Sequence, residues 1–177
     1  MAFSEYVRHR RGFPPKAFPY RKPTLSWRVA ILPYLGYEEL YVKFDTAIRY
    51  NSPLNRRLIE LMPPEFKTLA HETKTTLVAP VTSFGVYWRD APTMMNRIED
   101  GISDTIGIVD VIEENAVTWT QPIDYQIDSA QLSHGLKSAR GFFVVIFGDG
   151  RVDKISNKVP TKHLMAMLSY DRGDSYP

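Results

Sequence analysis

Apolar and polar residues alternate most regularly over residues 40–50. Leu40, Val42, Phe44, Thr46, Ile48 and Tyr50 fall on one side of an extended chain and Tyr41, Lys43, Asp45, Ala47 and Arg49 on the other, the period of a half-buried strand. Asn51-Ser52-Pro53 then turns the chain into a helix. Leu54, Leu58, Ile59, Leu61 and Met62 fall on one face of it, and Pro63-Pro64 stops it. A further helical turn is expected over 65–73. TTLVAPV and SFGVYWR read as strands; the first is weakened by Pro80, and the second sets Phe84, Val86 and Trp88 on one side. Pro92 and Gly101 bracket a short helix over 92–100 with Met94, Met95 and Ile98 inward.

TIGIVDVI and AVTWTQPIDYQI predict two more strands, the second placed at an edge or bulge by Pro122. Asp128 or Ser129 caps a helix running through Ala139. Phe142–Phe147, the turn Gly148-Asp149-Gly150 and the following RVDKIS carry a strong hairpin signal, and a last helix over 160–168 packs Leu164, Met167 and Leu168. Strands and helices are interspersed without regular βαβ units, and no internal repeat or heptad occurs. The pattern therefore predicts an α+β single domain, a mostly antiparallel twisted sheet with helices packed on one side, over residues 29–170. Residues 171–177 read as a frayed tail.

Charge changes the picture at the N-terminal end. Residues 1–28 hold Arg8, Arg10, Arg11, Lys16, Arg21, Lys22 and Arg28 against Glu5 alone, a net +6, whereas the 177-residue chain carries only +2. The rest of the molecule is therefore acidic. This stretch is also rich in proline, and Phe3, Tyr6, Phe13, Phe18 and Tyr20 follow no helical or strand period. It reads as a disordered basic arm that seeks a polyanion, either a phosphate backbone or an anionic lipid surface. Between arm and core, residues 29–38 are apolar but broken by Pro33 and Gly36. Leu32, Tyr34, Leu35 and Tyr37 there are expected to be exposed and to mediate self-association.

Composition removes several function classes. With no cysteine, the chain has no disulfide, thiol nucleophile or cysteine-based zinc site, and a reducing compartment suits it. No apolar run approaches the length of a membrane span, and the basic start lacks the apolar core of a secretory signal. With Ala2 and a terminal DSYP neither a myristoyl nor a prenyl anchor is expected, and membrane contact is expected to be peripheral. His9, His71, His134 and His163 do not fall at metal-ligand spacing. The pairs Glu99-Asp100 and Glu113-Glu114 sit at element ends, where carboxylates are simply solvated. Asp128, Ser129 and His134 share one expected helix and cannot converge as a triad. Gly148-Asp149-Gly150 lacks the Lys-Ser/Thr of a phosphate loop, and Arg172-Gly173-Asp174 is a chance tripeptide. Neither catalysis nor a cofactor is expected.

Two segments together resemble the matrix proteins of rhabdoviruses. VKFDTAIRYNSPLNRRLIELM, residues 42–62, runs from a strand through Arg-x-Asn-x-Pro into an amphipathic helix. HGLKSARGFFVVIFGDGRVDKISN, residues 134–157, runs from a basic helix end through an apolar strand and a glycine turn to a closing strand. The size and the basic, proline-rich leader agree with the smaller matrix proteins of the plant-infecting members. Pro14-Pro15-Lys16-Ala17 and Pro63-Pro64-Glu65-Phe66 both miss the Pro-Pro-x-Tyr signal that recruits budding machinery.

The resemblance implies a non-enzymatic virion protein that self-associates into an open-ended oligomer, condenses the helical nucleocapsid and lies against the inner face of the envelope. The viral glycoprotein tail would be a further partner. In that setting Arg8, Arg10, Arg11, Lys16, Arg21, Lys22 and Arg28 would grip anionic membrane and ribonucleoprotein, and Phe3, Phe13, Phe18 and Tyr20 would dip into the headgroup layer. The alternative is a capsid or single-stranded RNA-binding protein whose arm neutralises packed RNA.

Overall fold

The computed structural model describes residues 2–15, 17–19, 24–68, 72–87, 92–128, 130–136 and 138–170. The 142–156 hairpin forms as its pattern demands. β9 (Phe142–Phe147) pairs antiparallel with β10 (Val152–Ser156) around Gly150, whose φ of 91° is open to glycine at no steric cost, while Asp149 Oδ1 accepts from the Arg151 N–H at 2.9 Å. On its other side β9 pairs with β6 (Ile106–Asp110), and β6 pairs with β4 (Leu77–Val78). The result is a four-stranded antiparallel sheet of order β10-β9-β6-β4.

Short pairs surround this sheet. β1 (Ala17–Phe18) lies against β2 (Leu25–Ser26), β3 (Lys74–Thr75) against β7 (Val117–Thr118), and β5 (Pro80–Val81) parallel to β8 (Tyr125–Gln126). The helices are α1 (Ala2–Arg10), α2 (Trp27–Ala30), α3 (Glu38–Tyr41), α4 (Pro53–Arg56) and α5 (Thr161–Leu168). The expected α+β class with mainly antiparallel pairing is what the chain forms.

The sheet is covered on both faces rather than on one. Phe143, Val145, Phe147 and Val109 pack with Leu164, Met167 and Leu168 of α5, whereas Ile108, Ile146 and Leu77 face a second cluster built from α1, α2 and the segments that follow them. Part of this additional layer is made of residues expected to be disordered. α1 buries Phe3 and Val7, and Phe13 is 0% exposed. Phe3 meets Phe13 edge-on at 5.8 Å between ring centroids and Trp27 at 6.1 Å, and Phe13 meets Tyr87 at 6.0 Å.

Two glycines make the seat for these rings. A Cβ at Gly107 would stand 2.5 Å from the Phe3 ring and 2.9 Å from Phe13, and one at Gly148 would stand 2.6 Å from Phe13. A disordered arm over 1–28 is therefore incorrect for the described part of that stretch. Its aromatics lack a simple period because each is placed by tertiary contact, not by a repeating face.

Several elements expected from periodicity are shorter or different. Residues 40–50 are not a strand. α3 leads into a run of turns in which Leu40 and Phe44, four apart, are buried while Val42 is 72% exposed. The loop's backbone is served by the side chain of Asn55, fully buried at the edge of α4. Asn55 donates to the carbonyls of Asp45, Ile48 and Arg49 and accepts from the Asp45 N–H, bonds that a neighbouring strand would otherwise supply.

The helix expected over 54–62 is reduced to α4 and a 3-10 turn at Ile59–Leu61, with Leu54 and Leu61 half exposed. Only 3-10 turns form at Pro64–Phe66 and Met95–Arg97. Residues 82–87 are turns, and the described residues of 128–139 form no helix, although Leu132 and Leu136 are buried. Trp88, Ser129 and the tail 171–177 lie outside the described residues.

Phe13→Ala is expected to cost about 3–5 kcal/mol and Gly107→Ala about 1–3 kcal/mol in urea denaturation, the first by leaving a cavity and the second by overpacking. A chain lacking residues 1–19 should lose cooperative unfolding, whereas removal of a solvated tail would leave the transition unchanged.

Candidate polyanion interface

The basic leader separates into an exposed set and a buried one. Arg8, Arg10 and Arg11 lie exposed at the C-terminal end of α1, where cations also complement the helix dipole. Tyr6 and His9 on the same helix pack edge-on against Tyr34, at 5.3 and 6.0 Å, fixing α1 on the 3-10 turn Leu32–Leu35. A hydrogen bond with Tyr34 also raises the pKa of Arg10. These cations therefore stand on a docked helix.

Beyond α1 the chain bridges to residue 94. Gly12 pairs with Met94, the Met95 N–H donates to the Arg11 carbonyl at 2.8 Å, and the Phe13 N–H donates to the Thr93 carbonyl at 2.9 Å. Arg8, Arg11, Met94, Met95 and Asn96 consequently line one shallow basin of about 560 Å³, with Arg97 exposed on the same 3-10 turn. Met94 is 41% exposed within it. Periodicity turned Met94 inward as part of a helix; a single 3-10 turn has no such face, so the side chain is left outside. The Pro92 and Gly101 signals gave the right neighbourhood but not the length of the element.

Arg28 is no surface cation. It is 0% exposed and ion-paired at 2.9 Å with Asp124, whose side chain is 1% exposed. Its Nε and Nη2 donate to the Leu77 carbonyl at 2.9 and 2.7 Å, and Nη1 donates to Ser26 Oγ at 2.6 Å. Asp124 Oδ1 also accepts from Trp27 Nε1 at 3.0 Å and from the Ala79 N–H at 2.8 Å. Burial pushes the Asp124 carboxyl up, against the pull of Arg28, and pushes the Arg28 guanidinium down, against the pull of Asp124. Nearby, the Tyr87 hydroxyl is wholly buried with no hydrogen-bond partner among the described residues, and burial raises its pKa well above 10.

The other expected site residues divide as follows. Phe3 and Phe13 are core and unavailable to a membrane, and Phe18 is half-buried, its ring tilted against Tyr41 at 6.4 Å. Leu32 is 0% exposed and Tyr34, Leu35 and Tyr37 are half-buried against the same core, so the exposed self-association strip expected over 29–38 is incorrect as drawn. Lys16, Tyr20, Arg21 and Lys22 lie outside the described residues. Among the described residues no His, Asp and Glu side chains group as metal ligands, and no helix is long and apolar enough to cross a membrane. No family model, curated protein or solved structure matches this chain.

Arg28→Met should cost about 3–5 kcal/mol, since it leaves the Asp124 carboxylate buried without its cation, while Arg8→Gln and Arg11→Gln leave the urea midpoint in place. For Tyr87 the folded pKa lies above the unfolded value of about 10. Its contribution to stability is therefore complete below about pH 10 and lost as pH rises beyond it. Tyr87→Phe should match the wild type near neutrality and flatten the alkaline fall in urea midpoint by about one proton.

Proposed function

We propose that this chain is a non-enzymatic structural protein of the matrix type, which self-associates, lies peripherally on anionic membrane and binds a nucleocapsid at the inner face of a viral envelope. The resemblance of residues 42–62 and 134–157 to rhabdovirus matrix proteins motivates the reading. The observation that carries it is the basin in which Arg8 and Arg11 surround the exposed Met94 on a helix docked to the core.

Cations ringed around an apolar side chain suit a headgroup layer, where charge is attracted and a methionine can bury. Each cation near an anionic leaflet contributes about 1 kcal/mol before screening, so one copy holds weakly and a lattice of copies holds firmly. With Phe3 and Phe13 committed to the core, the exposed apolar contact of this face is Met94.

The test is sedimentation with vesicles of phosphatidylcholine with and without phosphatidylserine. Arg8→Gln/Arg11→Gln, which keeps the fold, should weaken binding to the acidic vesicles by about tenfold to thirtyfold at low salt. Binding equal to the wild type would overturn the assignment of this face. Substitution is the appropriate perturbation, because deleting the leader removes core side chains.

A further inference from the structure

A second concavity opens on the other side of Met94. It is a half-enclosed cleft of about 280 Å³ walled by Tyr6, Phe13, Phe18, Tyr41 and Met94, with Arg10 as its one charged lining residue. Arg10 is exposed and also lines the cleft, which places it at the mouth, and its hydrogen bond with Tyr34 steadies it there. Met94 lines both this cleft and the Arg8 and Arg11 basin, so a flexible thioether stands at the rim of the cleft, whose interior is aromatic carbon with the one guanidinium of Arg10.

We propose that this cleft binds one anionic amphiphile, its acyl chain among the aromatic side chains and its anionic head on Arg10. Both ends must be satisfied together. An apolar chain gains by leaving water for the walls of Phe13, Phe18 and Tyr41, and a carboxylate or phosphate takes charge-assisted hydrogen bonds from the Arg10 guanidinium, which already stands exposed. A neutral alcohol gains only the first and inorganic phosphate only the second. The cleft volume sits at the lower limit of small-molecule pockets, so it takes a short chain or the end of a longer one. Phe13 and Phe18, two of the aromatics expected to enter a membrane, thus line a place where part of a lipid enters the protein.

The proposal rests on the anionic-surface reading for its head group but is measured without a bilayer. The full chain would be titrated with the fluorescent fatty acid cis-parinarate below its micellar concentration. Competition would follow with decanoate, decanol, inorganic phosphate and monomeric dioctanoyl phosphatidylserine. Saturable binding of one equivalent is expected, displaced by decanoate at least tenfold better than by decanol and not by phosphate. Displacement by dioctanoyl phosphatidylserine as well assigns a membrane phospholipid as source; displacement by decanoate alone assigns free fatty acid.

Arg10→Gln, at an exposed position, should weaken decanoate at least fivefold. Ala30 also lines the cleft, and Ala30→Leu, which narrows it, should abolish parinarate binding while leaving sedimentation with acidic vesicles as in the wild type. Absence of saturable binding, equal competition by decanol and decanoate, or wild-type affinity in both variants would overturn the proposal. Loss of vesicle binding with amphiphile binding intact would instead sink only the membrane role.

Discussion

The buried pair of Arg28 and Asp124 is the junction on which the arrangement of strands depends. Between Leu77 and Val81 the chain leaves its antiparallel partner β6 and takes up a parallel partner, β8, and at the changeover its backbone would be left without bonds. The pair supplies them: the guanidinium serves the Leu77 carbonyl and the carboxylate serves the Ala79 N–H. One ion pair thereby ties α2, the edge strand β4 and the residue before β8, which are distant in sequence. Two desolvated charges are an expensive way to tie them. What they offer over apolar substitutes is direction, since only groups that donate and accept can replace a missing ladder.

The far edge of the sheet is closed by a smaller device of the same kind. The Arg151 carbonyl bonds inward to the Phe147 N–H, so residues 152, 154 and 156 turn their backbone groups outward, and the Lys154 N–H is taken by the carboxylate of Asp153 at 2.7 Å. A free edge with its donor occupied and charged side chains along it is a poor template for another strand. Side-chain carboxylates thus finish both margins of the sheet.

What was legible in the sequence follows from where the information is local. The 142–156 hairpin and α5 could be read because each carries its own turn or cap beside a continuous apolar face. The 40–50 segment could not, because its alternation is coincidental to a loop held by Asn55, a polar residue whose four bonds leave no periodic trace. The basic leader could be read for charge but not for order: counting cations treats Arg28 like Arg8, and nothing near Arg28 announces Asp124, ninety-six residues away. The exposed cations of α1 were found by composition alone. Met94 was assigned inward because a helix was projected onto a single 3-10 turn.

The glycine seats under Phe3 and Phe13 impose an order of assembly. Gly107 and Gly148 lie 94 to 135 residues downstream of the rings they accommodate. During translation those rings emerge long before the sheet that receives them, so the nascent chain carries unpartnered aromatics beside clustered arginines until the hairpin is complete. Closing such long separations slows the final collapse and leaves the half-made protein adhesive. The leader is therefore the part of the chain most exposed to misassociation until the sheet is complete.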